Sequence, residues 1–154
     1  MFHGKMAVMD EEMYADQLRD AGLRVTQPRL TVLKVVEETP HLSADEVRQG
    51  VVKRLGSVST QAIYDVLHAL TDKGLLREIE PAGSVPRYEL FRADNHHHLI
   101  CRSCKKVIDI PCVIGSAPCL EPFSTHGFDI DEAEVTFWGI CPQCIRSESP
   151  TSQQ

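Results

Sequence analysis

Two pairs of cysteines and a run of histidines carry the chemistry open to this chain. Residues 94 to 104 read DNHHHLICRSC, so His96, His97 and His98 precede Cys101-x-x-Cys104, and CPQC repeats the cysteine spacing at Cys141 and Cys144. A C-x-x-C knuckle lets two thiolates from one tight turn reach the same ion. Two knuckles complete the closed tetrahedral S₄ sphere that zinc takes in structural sites. The competing readings are two disulfides or a thioredoxin-like redox pair. The first belongs to an oxidising compartment and the second to a βαβ setting, and neither is indicated here.

A filled sulfur sphere leaves no place for the histidines. On a strand His96 and His98 point to one face and His97 to the other. Asp109 lies five residues past the first knuckle, on the expected return strand, and can meet the His96/His98 face. Two imidazoles and a carboxylate suit Fe(II), Mn(II), Zn(II) or Co(II) better than calcium. The plain alternative is a set of solvated surface histidines. Cys112 and Cys119 have two readings as well, a peroxide-sensitive thiol pair or small buried apolar residues, of which the second is preferred because reactivity needs a thiolate-favouring environment.

The rest of the composition sets the frame. The 154 residues are 42% hydrophobic and 25% charged, an ordinary globular balance, and include six cysteines. The chain has no sustained apolar run near its start and no stretch of about eighteen apolar residues, so neither a secretory signal nor a membrane span is expected and the cytoplasm is the default location. A net charge of −6 argues against a uniformly positive surface but leaves room for a local basic patch that meets nucleic acid.

The elements that must position these residues change character along the chain. Asp10 to Ala21 has Tyr14, Leu18 and Ala21 at helical spacing and ends at Gly22. In RVTQPRLTVLKVVEE, Thr26 caps, Pro28 sits in the first turn, and Leu30, Leu33 and Val36 form an apolar stripe. SADEVRQGVVKRL opens with a Ser43/Glu46 capping box and carries Val47, Val51 and Leu55 at intervals of four. In STQAIYDVLHALTDKG, Ser59 caps, Ile63, Val66, Leu67 and Leu70 face inward, and Gly74 ends the run. LLREIEPAGSVPRYELF then reads as a β-hairpin around PAGS. Four helices followed by a hairpin describe a winged helix-turn-helix over residues 1–91.

Arg92 to Asn95 is polar and unpatterned, a hinge. Beyond it HHHLIC, KVIDI and EVTFWGIC read as short strands, Pro118 and Pro122 break any helix between Ile114 and His126, and SESPTSQQ reads as a loose tail. The expected fold class is α+β, a winged helix-turn-helix followed over residues 96–154 by a small α/β domain with a four-cysteine zinc site. In a helix-turn-helix the start of the second helix enters the major groove, which makes Ser59, Thr60, Gln61 and Tyr64 candidate DNA contacts, with Gln61 suited to adenine. Arg24, Arg29, Lys53 and Arg54 are candidate phosphate contacts, or else solvated helix-surface charges.

GLRVTQPR, STQAIYDVLHAL, RYEL, HHHLICRSC and the final CPQC occur in this order and approximate spacing in the ferric uptake regulator (Fur) family, which the chain resembles from about Asp10 to Cys144. QAIYDVLHAL, DNHHH and DEAEVTFWGICPQC look most like the branch that regulates catalase-peroxidase genes. The resemblance implies a homodimeric, metal-dependent transcriptional repressor on double-stranded operator DNA, with residues 96–154 as its dimerisation and metal-binding domain. It implies a structural Zn2+ at the four cysteines. A regulatory Fe2+ or Mn2+ is implied at His41, Glu89, His96, His98 and Asp109, drawn from both domains. A third metal position in the family uses a histidine-rich stretch, a glutamate and the His of an H-G pair. His126 matches the last of these, His97 and Asn95 depart from the pattern, and Glu121 is a nearby substitute for the glutamate. Tyr64 aligns with the family's DNA-contacting tyrosine, whereas Asp65 stands where arginine is common.

Metal binding is then expected to close the hinge and set the spacing of two recognition helices. Two stimuli fit, peroxide that oxidises a ligand histidine through bound Fe(II), or simple iron supply. Two rival classes are a zinc enzyme built on H-x-H plus carboxylate, for which no H-E-x-x-H or deaminase motif is present, and a cytosolic thiol-redox protein.

Overall fold

The computed structural model describes residues 10–81, 83–92, 96–111, 122–130 and 133–148. Cys112, Cys119 and Glu121 lie outside these, as do Ala93, Asp94 and Asn95 of the expected hinge, most of the segment from Ile114 to His126, and all but Ser147 and Glu148 of SESPTSQQ. The chain divides into two compact units, Met1–Arg92 and Ala93–Gln154.

In the first unit the local signals and the elements agree. Helices α1 (Glu11–Asp20), α2 (Gln27–Glu38), α3 (Ala44–Leu55) and α4 (Thr60–Asp72) are separated by short connections. Each of the last three begins with a hydroxyl that satisfies a first-turn N–H. Thr26 accepts from Arg29 N–H at 3.4 Å, Ser59 accepts from Ala62 N–H at 3.1 Å, and Ser43 accepts from Glu46 N–H at 3.4 Å. The box at α3 is reciprocal, because the Glu46 carboxylate accepts from Ser43 N–H at 2.8 Å. After α4, Gly74 takes a φ of +70°, a left-handed turn that a side chain would oppose.

The inward faces form one core. Tyr14, Leu18, Leu33, Val36, Val47, Val51, Ile63, Leu67 and Leu70 are buried, with Val66 packed half-buried against them. Leu55 corrects the expected α3 stripe: it is 38% exposed, at the last position of the helix. Gly50 lets α3 pack closely on α2: a Cβ there would lie 2.8 Å from Val35 Cγ1.

The hairpin strands β2 (Leu76–Ile79) and β3 (Arg87–Leu90) pair antiparallel, with Leu76 opposite Leu90. A third strand, β1 (Leu42–Ser43), was not expected; it adds to β3 with Leu42 opposite Tyr88, giving the order β1-β3-β2. Two residues carry no readable period, so only the pairing reveals them as a strand. This is the winged helix-turn-helix.

The second unit is a three-stranded sheet of order β5-β4-β6, built from β4 (His96–Cys101), β5 (Val107–Pro111) and β6 (Thr136–Gly139), followed by a short helix α5 (Pro142–Glu148). β4 and β5 are antiparallel, and β6 runs parallel to β4 with Leu99 opposite Phe137 and Cys101 opposite Gly139. The sequence shows no helical period for α5, whose seven residues make too few turns to display one. Among the described residues no helix is long and apolar enough to cross a membrane.

Candidate metal centres and nucleic-acid face

The parallel pairing of β4 and β6 brings the two cysteine knuckles to the same end of the sheet. Sγ atoms of Cys101, Cys104, Cys141 and Cys144 all lie within 4.8 Å of one another, and those of Cys104 and Cys141 are 3.8 Å apart. A tetrahedron with Zn–S bonds of ~2.3 Å has edges of about 3.8 Å, so the sulfurs already have the spacing of an S₄ sphere and are far beyond disulfide bonding distance. All four are free thiols.

Backbone donors support the site. Cys101 Sγ accepts from Cys141 N–H at 3.3 Å, and Arg102 N–H donates to Gly139 O at 2.8 Å, so each knuckle braces the other. The Cys141 N–H, helped by that of Cys104, holds the Cys101 thiol down at about 6. At Cys144 the Ser103 hydroxyl favours the thiolate, yet the neighbouring sulfurs and burial outweigh it and push that thiol up to about 12. Four sulfurs this close cannot all ionise unaided, and a bound dication is what lets them.

The histidines do not share this cluster. His98 faces Asp109 across the β4/β5 ladder, and both His96 and His98 turn toward the same carboxylate oxygen. His98 Nε2 is 3.4 Å and His96 Nε2 3.9 Å from Asp109 Oδ1, with the two rings edge to face at 5.0 Å. His98 is fully buried and His97 8% exposed, which overturns the alternative of solvated histidines. Behind His98, Glu134 Oε1 lies 4.0 Å from Nδ1. Sequence reasoning missed Glu134, whose signal is tertiary: it reaches β4 only through the parallel pairing of β6. At 4.0 Å the approach of Glu134 to His98 is an ion-pair contact, longer than a hydrogen bond.

In the first unit His41 and Glu89 make a second preformed pair. His41 Nε2 lies 3.0 Å from Glu89 Oε2, and both residues are buried. His41 N–H donates to Tyr88 O and Arg87 Nη1 donates to His41 O, both at 2.9 Å. These bonds hold His41 at a φ of +66°, which costs a side-chain-bearing residue on the order of 1 kcal/mol or more and persists only where the surroundings over-determine it. Imidazole and carboxylate are ligand types for the same transition ions as the His96/His98/Asp109 set.

For the third metal position, His97 lies opposite Ile110, His126 occupies an exposed turn at φ +49°, and Glu121 is outside the described residues. Among the described residues neither histidine joins a cluster of three or more metal-binding side chains.

The expected DNA face is the outward side of α4. Ser59, Thr60, Gln61, Tyr64, Asp65 and His68 are exposed, opposite the buried Ile63, Leu67 and Leu70. Arg24 is exposed, whereas Arg29 turns back to donate to Arg24 O at 2.7 Å and Arg54 pairs with Glu38. Lys53 is exposed.

The family model described as the ferric uptake regulator family matches residues 20–138. The transcriptional regulator FurA of Mycobacterium tuberculosis is 52% identical over 139 residues, 90% of this chain and 95% of FurA. The peroxide-responsive repressor PerR of Staphylococcus aureus is 29% identical, over 82% of this chain and 86% of its own length. The crystal structure of the Vibrio cholerae ferric uptake regulator superposes with a TM-score of 0.69 at 27% identity, covering 82% of this chain and 98% of that one.

Proposed function

This chain belongs to the ferric uptake regulator family, metal-responsive regulators of transcription and not enzymes, and on that premise we propose that it is a homodimeric repressor of oxidative-stress genes that senses peroxide through Fe(II). Cys101, Cys104, Cys141 and Cys144 hold structural zinc. His41, Glu89, His96, His98 and Asp109 hold the regulatory ion, and residues 92–95 are the hinge it closes. The observation that carries this reading is the pair of preformed nitrogen/oxygen ligand sets, one in each unit, separate from the sulfur cluster. An ion that needs both sets binds the closed arrangement more tightly than the open one, and a thousandfold preference corresponds to about 4 kcal/mol.

Dimerisation is supported by one exposed apolar row. Ile108, Leu99 and Phe137 are register neighbours across β5, β4 and β6, and are 42, 38 and 50% exposed. Such a row on a small sheet is the kind of self-complementary patch that a two-fold interface covers.

Fe(II) held by these imidazoles and the carboxylate would supply the electron that splits hydrogen peroxide into hydroxide and a hydroxyl radical; addition of that radical to a ring carbon, with one electron returned to the iron and one proton lost, would leave the ring one oxygen heavier. The ligand histidines would be the nearest oxidisable groups, and an oxidised ring would no longer serve as a ligand. The segments QAIYDVLHAL, DNHHH and DEAEVTFWGICPQC, which resemble the branch that regulates catalase-peroxidase genes, favour this reading and that type of target gene. Operator binding at fixed salt, with and without Mn(II), tests the coupling: alanine at His98 or Asp109 abolishes the metal dependence, and unchanged affinity in both variants refutes it. Anaerobic loading with Fe(II), exposure to peroxide and peptide mass spectrometry tests the stimulus. One added oxygen atom on the His41 peptide or the His96–His98 peptide is expected. Its absence favours the second reading, a sensor of iron supply, to which the names of the family and of its Vibrio cholerae member point.

A further inference from the structure

We propose that Asp65 is a specificity-determining residue, which together with Gln61 reads exocyclic amino groups in the major groove. The inference rests on the reading above that α4 enters that groove. Helix α4 reads TQAIYDVLHALTD and contains no lysine or arginine, so its outward face has no permanent cation with which to grip guanine or phosphate. Instead its exposed stripe, Gln61, Tyr64, Asp65 and His68, is tied internally at i, i+4 spacing. Gln61 Nε2 donates to Asp65 Oδ1 at 2.9 Å, and the Tyr64 and His68 rings lie 6.3 Å apart.

The chemistry of the first pair is directional. A carboxylate only accepts, so the Gln61 amide must turn its NH₂ toward Asp65. That leaves Gln61 Oε1 and one N–H for the groove, the acceptor and donor that match adenine N6 and N7. The second oxygen of Asp65 is also an acceptor and is matched by cytosine N4 or adenine N6. Guanine O6 and N7 and thymine O4 are acceptors themselves and repel it. Two consequences follow. Asp65 orients Gln61 for adenine, and at a neighbouring position it selects cytosine or adenine, the bases with an exocyclic amine in the groove, by excluding guanine and thymine, which offer no donor there. Neither contact adds electrostatic affinity, since a carboxylate among phosphates weakens binding overall; its effect is on choice of sequence.

The test is selection from a pool of randomised DNA duplexes with the full-length, Mn(II)-loaded protein at fixed salt. The parent, Asp65→Ala and Asp65→Asn are compared. Residue 65 is exposed and outside the core, so all three fold, which a thermal melt verifies. The parent is expected to favour cytosine or adenine over guanine and thymine at one position by about 10- to 100-fold, the discrimination of a good base contact. Asp65→Ala loses that preference and weakens the one for adenine. Asp65→Asn keeps the shape but adds a donor, and so admits guanine or thymine. Enrichment of the same motif with the same base frequencies by all three overturns the assignment and leaves the regulator reading standing. If the metal-loaded parent enriches no sequence at all, the regulator reading itself fails and Asp65 falls with it.

Discussion

Removing the zinc should unfold one unit and spare the other. Among described residues 96–148 the buried apolar side chains are Ile100, Cys101 and Val107, whereas residues 10–92 bury a continuous core running from Tyr14 to Tyr88. At ~1.5–3 kcal/mol for each fully buried side chain, three of them supply on the order of 5–9 kcal/mol. Structural zinc contributes roughly 10–16 kcal/mol near neutral pH, more than that apolar burial can offset. The apolar row on β4, β5 and β6 cannot compensate, because a second copy covers it only once the sheet exists. Cys141→Ser in the full chain, or exhaustive chelation, should therefore leave the C-terminal sheet disordered while α2, α3 and α4 persist. Hydrogen exchange read by mass spectrometry measures this directly. Amides such as Cys101 N–H, bonded to Lys106 O at 3.0 Å, should lose protection, and those of α2 should keep it. Full protection of β4 in protein shown by metal analysis to lack zinc would refute the reasoning.

Other outcomes follow from single contacts. Leu67→Ala empties a fully buried position of α4 and should cost about 2–5 kcal/mol in urea unfolding of the N-terminal unit. Ser43→Ala breaks the capping box of α3 and should cost about 1 kcal/mol by the same measure. Gly50→Ala gains about 1 kcal/mol of helix propensity but drives a Cβ into the stiff Val35 side chain at 2.8 Å, where overpacking costs about 1–3 kcal/mol; a net loss is expected, reversed when Val35→Ala is made in the same chain. Leu99→Glu puts a charge in the middle of the exposed row and should give a monomer in sedimentation with its helical circular dichroism intact.

The helices were legible because their signals are local. A cap, an apolar stripe and a terminating glycine lie within one or two turns of one another, and Thr26, Ser43, Ser59 and Gly74 each do what their types predict. The two knuckles were legible for the same reason, since spacing alone restricts what four cysteines can share. The alternation that puts His96 and His98 on one face, toward Asp109, also follows from the period of a strand. What escaped depends on pairing across distance: β1, recognisable only beside β3, and Glu134, near His98 only because β6 runs parallel to β4. Leu55 shows the converse, an apolar residue on schedule in the stripe with no neighbour left to cover it.

The parallel strands β4 and β6 also impose an order on synthesis. Cys101 and its partner Cys141 are 40 residues apart, and the strand that completes the sheet, ending at Gly139, is translated long after its neighbour. The helical half has no such dependence and can condense while the remainder is still being translated. A nascent chain therefore holds a finished winged helix well before it holds both knuckles, and capture of zinc is the event that closes the loop between them. Metal starvation during growth would be felt first by newly made chains, as a stalled second half, before mature copies lose anything.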